Sequence, residues 1–202
     1  MSEESKELAW WKSSEGDAYA KRCAWDDELV SRRRGTLRSW AYGSSGASIL
    51  EIGCNIGMNL EAVSGNFLLR YGIEPNSDAR LQAVQNLSRT AQVLDGCAEN
   101  LPFADQSVEC VMTVGVLIHI RPDALPRVLR EMARVAKSQV LLIEYFAPTS
   151  TPVEYHGDVR LWKDDFGRRM EEATPFRVSE TGFLRPEDGF DNCVAWLLTK
   201  EG

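Results

Sequence analysis

Between residues 47 and 147 the apolar positions change period repeatedly, from short continuous runs to helical spacing and back. "ASILEI" is a brief apolar run bounded by glycine and predicts a strand. "GMNLEAVSGNF" reads as a helix opening at Gly57, and "LLRYGIEP" as a second strand stopped by Pro75. "NSDARLQAVQNLS" starts with Asn76, Ser77 and Asp78, residue types that cap helices, and continues at helical spacing. "AQVLDG" predicts a third strand. "VECVMTVGV" is apolar almost throughout, which suits a strand covered on both faces. "PDALPRVLREMARVAK" predicts a helix with Pro122 at its start, and "QVLLIEYFA" a fifth strand. This alternation predicts an α/β fold: a Rossmann-like, doubly wound and mostly parallel sheet with helices on both faces.

The flanks follow other patterns. Residues 1–42 hold four tryptophans (Trp10, Trp11, Trp25, Trp40), and "DAYAKRCAWDDELVSRRRGTLRSWA" has helical spacing without proline. "GSSG" at 43–46 ends this prelude as a short hinge. After the fifth strand comes a polar, aromatic-rich loop running into a short helix. "FRVSETGFL" and "NCVAWLLTK", joined by the turn-rich "RPEDGFD", then predict an antiparallel pair at the sheet edge. The expected layout is one domain: a helical lid over 1–42, a ligand-binding core over 47–147, and a substrate loop with C-terminal strands over 148–202.

Composition narrows the class. The 202 residues, 44% hydrophobic and 26% charged, suit one globular domain. A net charge of −7 argues against a nucleic-acid partner. The one basic run, "SRRRGTLR" at 31–38, reads as a solvated face beside the acids of "WDDEL". No apolar stretch reaches the roughly 18 residues of a membrane span, and the polar N-terminus suggests no export signal, so a cytoplasmic protein is expected. Five cysteines without a C-x-x-C pair and two histidines predict reduced thiols and no metal site.

The chemistry concentrates where the strands end. Open α/β sheets bind ligands at the carboxyl ends of their strands. "EIGCNIG", residues 51–57, sits at the end of the first strand, with Gly53 and Gly57 allowing a tight turn and close approach to a ligand. The spacing lacks the third glycine of a pyrophosphate loop. The second strand ends in Glu74 of "YGIEP", placed to accept hydrogen bonds from vicinal ribose hydroxyls. Loop, acid and alternation together imply a ribose-bearing cofactor.

The acid-led E-x-G-x-N-x-G resembles the first motif of class I S-adenosylmethionine-dependent methyltransferases, usually E/D-x-G-x-G-x-G. "YGIEP" resembles their second motif, "GCAENLPFADQSVECVMTVGVLIHI" the segment leading into the fourth strand, and "EMARVAKSQVLLIEY" the fifth strand with its preceding helix. "EIGCNIGMNL", "GVLIHI", "EYF", "LWKDDF" and "WWKSSEGDAYAKR" together resemble a bacterial group, the pseudaminic acid biosynthesis-associated methylases. The resemblance implies a seven-stranded sheet with an antiparallel last strand, S-adenosyl-L-methionine as cofactor and S-adenosyl-L-homocysteine as product. Four positions depart from one pattern or the other: Asn55 stands for the general family's glycine, although the bacterial group carries the same asparagine-containing loop, Cys97 for the aspartate that meets adenine, Glu109 for an aspartate, and Cys23 for the bacterial group's asparagine. Asn55 must therefore be tolerated in the loop or used by it.

Candidate residues follow. For the cofactor they are Gly53, Asn55, Gly57, Glu74, Pro75, Cys97, Ala98, Glu99 and Thr113, with Trp11, Tyr19 and Arg22 from the lid, where Arg22 would pair with the cofactor carboxylate. His119, just past the fourth strand, is a candidate general base, and Glu144 a second one. Tyr145, His156, Arg160, Trp162 and Lys163, with His119, are candidates for holding substrate. The reading is a methyltransferase of a small polar metabolite, a sugar, nucleotide-sugar or related biosynthetic intermediate, methylated on oxygen or nitrogen, in a monomer or homodimer. N-methylation of an amino acid, peptide or amine is one alternative, suggested by the acids Glu144, Asp158, Asp164 and Asp165; a non-catalytic cofactor-binding partner protein is another.

Overall fold

The N-terminal helical stretch divides into three helices, α1 (Lys6–Trp11), α2 (Ser14–Arg22) and α3 (Asp27–Trp40). The helically spaced stretch 17–41 breaks before Asp26, whose carboxylate accepts from the N–H groups of Glu28 and Leu29 and starts α3 afresh. The computed structural model describes residues 5–41, 47–87, 91–157 and 159–200, so the "GSSG" hinge and Asp158 lie outside the described residues.

The core alternation runs β1 (Ser48–Ile52), α4 (Met58–Ala62), β2 (Leu69–Ile73), α5 (Ser77–Asn86), β3 (Ala91–Leu94), β4 (Val108–Val114), α6 (Leu125–Val135) and β5 (Ala136–Glu144). Asn76 caps α5 as its position suggests, its side chain accepting from the Ala79 N–H. Two details differ from the sequence reading. Pro126 rather than Pro122 occupies the first turn of α6. The helix from Gly57 is short and gives way to a 3-10 turn over Val63–Gly65.

The loop expected after β5 is instead a hairpin, β6 (Thr151–His156) and β7 (Val159–Lys163), paired antiparallel. Then follow α7 (Phe166–Ala173), β8 (Phe176–Leu184) and β9 (Cys193–Lys200). The main sheet has seven strands in the order β3-β2-β1-β4-β5-β9-β8. Strands β1 to β5 are parallel, and β9 lies antiparallel between β5 and β8.

Alternating side chains divide the core into two layers. Leu50, Ile52, Val111 and Leu142 pack against Val128, Leu129 and Met132 of α6. Ile49, Met112, Leu141 and Ile143 pack against Val30, Leu37 and Trp40 of α3. Glu51 shares the parity of Ile49, so its side chain rises on the α3 side at the end of β1. Among the described residues, no helix is long and apolar enough to cross a membrane.

Candidate functional site

The carboxyl ends of β1, β2 and β4 open into a cavity of about 1120 Å³. Its floor is the loop after β1, where Gly53, Asn55 and Gly57 all take positive φ, +70°, +46° and +91°. Asparagine tolerates the left-handed region better than most residues, which explains how Asn55 can stand where the usual motif has glycine. Its backbone N–H donates to Glu74 Oε2 at 2.9 Å, and the Asn76 N–H donates to Glu74 Oε1 at 2.9 Å. One buried carboxylate therefore ties the first loop to the second. Burial raises the Glu74 pKa, and those two N–H bonds work against the shift. A Cβ on Gly53 would stand 2.6 Å from Val116 Cγ2, so only glycine passes beneath the loop that follows β4.

Two elements roof the cavity. Trp11 and Tyr19 enter from α1 and α2, and Val153, Tyr155 and Leu161 from the β6–β7 hairpin. Ring contacts join them: Trp11 meets Tyr19 at 5.1 Å and His119 at 4.8 Å, while Trp10 meets Tyr155 at 5.5 Å and stacks on His156 at 5.2 Å. Asn76 fastens this roof to the floor. Its side-chain amide donates to the Trp11 carbonyl at 3.0 Å and to Asp17 Oδ1 at 2.8 Å.

Most residues singled out from the sequence meet here. Trp11, Tyr19, Arg22, Gly53, Asn55, Glu74, Pro75, Cys97, Ala98, Glu99, His119, Tyr145 and Lys163 line the cavity. Glu99 also pairs with Arg127 at 2.8 Å, and Cys97 is bridged to Asn100. Gly57 and Thr113 lie outside the lining; Gly57 turns the chain into α4, and Thr113 is fully buried in β4. Arg160, Trp162 and His156 also stand outside it, His156 being occupied with Trp10.

Glu144 does not face the cavity. Its Oε1 accepts from the N–H groups of Val116 and Leu117, at 3.0 and 3.1 Å, so it braces the turn after β4 from below. Burial pushes its pKa up to about 7. His119 does face the cavity, but burial pushes its imidazole down to about 4, and its Nδ1 has no hydrogen-bond partner. It is a neutral acceptor at neutral pH and a weak base.

Several site residues escaped the sequence reading. Arg33 belongs to the run expected to be a solvated face, yet it lines the cavity. A signal was present: Arg33 falls within the 30-33-37-40 spacing whose other members, Val30, Leu37 and Trp40, are buried. Asn59 and Asp191 also line the cavity; Asn59 lies within "EIGCNIGMNL" but its side chain was not singled out, whereas Tyr155 of the aromatic-rich stretch after β5 lines the cavity as that stretch suggests.

The residues fit an adenosyl cofactor on grounds internal to the structure. The volume exceeds what one such molecule fills, and the Glu74 oxygens keep lone pairs beyond the two N–H bonds they accept. Among the described residues no group of three or more His, Cys, Asp or Glu is placed to hold a metal ion.

Residues 50–143 match a family model described as a methyltransferase domain. No curated protein matches the chain by sequence. Among solved structures, a chain of the complex between the Haloferax volcanii Trm112 methyltransferase activator and a methyltransferase is 15% identical. It covers 100% of both chains with a TM-score of 0.73. Magnesium protoporphyrin IX methyltransferase from Synechocystis, solved with bound S-adenosylhomocysteine, is 12% identical over 96% of this chain and 98% of its own, with a TM-score of 0.70. A SAM-dependent methyltransferase from Aquifex aeolicus is 17% identical over 92% of this chain and 98% of its own, with a TM-score of 0.68. At these identities the structures establish the fold. Taken with the family match over residues 50–143, they support an enzyme of the methyltransferase type with S-adenosylmethionine as cofactor.

Proposed function

We propose that this enzyme methylates a small polar metabolite of the sugar or nucleotide-sugar type, held under the joined roof of α1–α2 and the β6–β7 hairpin. One observation carries the reading. The cavity of about 1120 Å³ is roofed by aromatic rings that meet one another, with room for the cofactor and a second small molecule. Tyr19, Tyr145 and Tyr155 offer phenol hydroxyls on apolar ring walls, an arrangement that suits a ring bearing several hydroxyls. The likeness to the pseudaminic acid biosynthesis-associated methylases supports the same substrate class.

When bound, the cofactor supplies an electrophilic methyl group on a sulfonium. The chain's own residues bind, orient and exclude water. Glu74 holds the ribose, the backbone at 97–98 meets adenine, and Trp11 closes over the centre. His119 accepts a hydrogen bond from the acceptor hydroxyl and orients it, rather than carrying off its proton in the resting state.

The test is methyl incorporation from labelled cofactor across matched acceptors: nucleotide-sugars, free sugars, and amines including amino acids. Incorporation into a sugar or nucleotide-sugar supports the reading. Incorporation confined to amines replaces it with N-methylation, for which Asp191 at the cavity wall would supply the counter-charge.

A further inference from the structure

Arg33 is held from two sides at the cavity wall formed by α3 and α4. Its Nε donates to the Gly189 carbonyl at 2.9 Å, and its Nη1 donates to Asn59 Oδ1 at 2.9 Å. The guanidinium carbon lies 5.2 Å from the centre of the Phe190 ring. Among the described residues no carboxylate forms an ion pair with it, and Nη2 has no hydrogen-bond partner. Burial lowers its pKa from the ordinary guanidinium value. A half-buried guanidinium fixed by two bonds and lacking an anion is incomplete by itself.

Two acids act on Arg33 through space without forming an ion pair, Asp191 at the cavity wall and Glu51, and Glu51 is linked to it through an amide. Asn59 Nδ2 donates to Glu51 Oε1 at 2.6 Å, and Glu51 Oε2 is buried without a partner. Arg33 therefore lacks an acceptor while Glu51 lacks a donor, with the Asn59 amide spacing them. An α-amino-acid end brings one of each, a carboxylate and an ammonium. The location agrees: the cavity runs from Cys97–Glu99 past Glu74 to the loop after β1, and Arg33 and Asn59 line its wall beyond that loop. Arg22 has no such setting. It is exposed at the end of α2, with its guanidinium 5.8 Å from the Tyr19 ring centre.

We propose that Arg33 receives the carboxylate of the cofactor's amino-acid end, held in place by Asn59 and Gly189. The inference rests on the cavity being the cofactor site. It gives Arg33, and not Arg22, the role of reading that end of the molecule.

The test is calorimetric titration of wild type, Arg33→Met and Arg33→Lys with two ligands, S-adenosylhomocysteine and 5′-methylthioadenosine, which lacks the amino-acid portion. Arg33→Met should bind S-adenosylhomocysteine about tenfold or more weakly, as expected for a lost charge-assisted pair, with methylthioadenosine affinity within twofold of wild type. Arg33→Lys should fall between, since the charge remains and the fork is lost. Equal weakening for both ligands would make Arg33 a structural clamp and overturn the proposal, as would unchanged S-adenosylhomocysteine affinity. Should Arg33→Met not fold, Arg33→Lys carries the same comparison. Wild type binding neither ligand would remove the cofactor-site reading itself, and this proposal with it.

Discussion

The two ends of the cavity are built from different materials. At the β1–β2 end, N–H donors converge on buried carboxylates: the backbone N–H groups of Asn55 and Asn76 on Glu74, and the side-chain amide of Asn59 on Glu51. At the β4–β5 end, rings touch rings, with Trp11, His119, Tyr155 and Trp10 joined edge to face. Hydrogen bonds to fixed carboxylates hold one geometry and suit a ligand that never changes. Ring contacts tolerate sliding and suit a face that each enzyme adapts to its own acceptor.

Substitutions that strike one end at a time test this contrast. The largest effect is expected for Glu74→Ala, which leaves two backbone donors without acceptors. It should lower unfolding free energy by about 3 kcal/mol and weaken S-adenosylhomocysteine binding about tenfold or more, read by denaturant melts and calorimetry. Unchanged values in both would mean that the floor does not depend on its carboxylate.

Next is a pH effect. Glu51 and Glu144 are both pushed up to about 7 by burial, above the 4.5 of an unfolded glutamate. The folded state then keeps protons that the unfolded chain releases, so their contribution to stability is full below about pH 4.5 and is lost as pH rises through 7. His119 works in the opposite direction, its depressed pKa withdrawing stability as pH falls from 6.5 to about 4. Glu144→Gln keeps an oxygen for Val116 and Leu117 and removes the charge. It should stabilise the protein by about 2 kcal/mol above pH 7 and flatten the slope between pH 5 and 7. A variant with the wild-type pH slope would show that Glu144 does not titrate in that window.

A smaller effect is expected at the roof. Trp11→Ala removes a ring that meets both Tyr19 and His119 and should speed S-adenosylhomocysteine release about tenfold in stopped-flow measurements, about 1.4 kcal/mol. The smallest is His119→Ala, expected to change S-adenosylhomocysteine affinity by less than about threefold, under 1 kcal/mol. A larger loss would place His119 at the cofactor rather than beside the acceptor.

The sequence exposed the floor more fully than the roof for a physical reason. Strand ends, glycines and an acid at the end of a strand are local features, and β1 to β5 appeared where the period of apolar residues changed. The β6–β7 hairpin did not, because its residues alternate around Pro152 and Gly157 with exposed polar side chains and no apolar run. Arg33 was lost among neighbouring arginines, since charge alone cannot distinguish a solvated guanidinium from one turned inward. The helical spacing it shares with Val30 and Leu37 could have done so. Glu144 misled for the opposite reason: a carboxylate at the end of a strand looks catalytic in one dimension, and only the fold shows that it supports the turn above it.

Asn76 has one further consequence. The same residue starts α5, bonds to Glu74, and grips both the Trp11 carbonyl and Asp17. On the proposed ribose role of Glu74, lifting α1–α2 must break two amide contacts where that carboxylate is anchored. Departure of spent cofactor and opening of the entrance would then share one latch, whose strength would set a lower bound on how long product stays aboard.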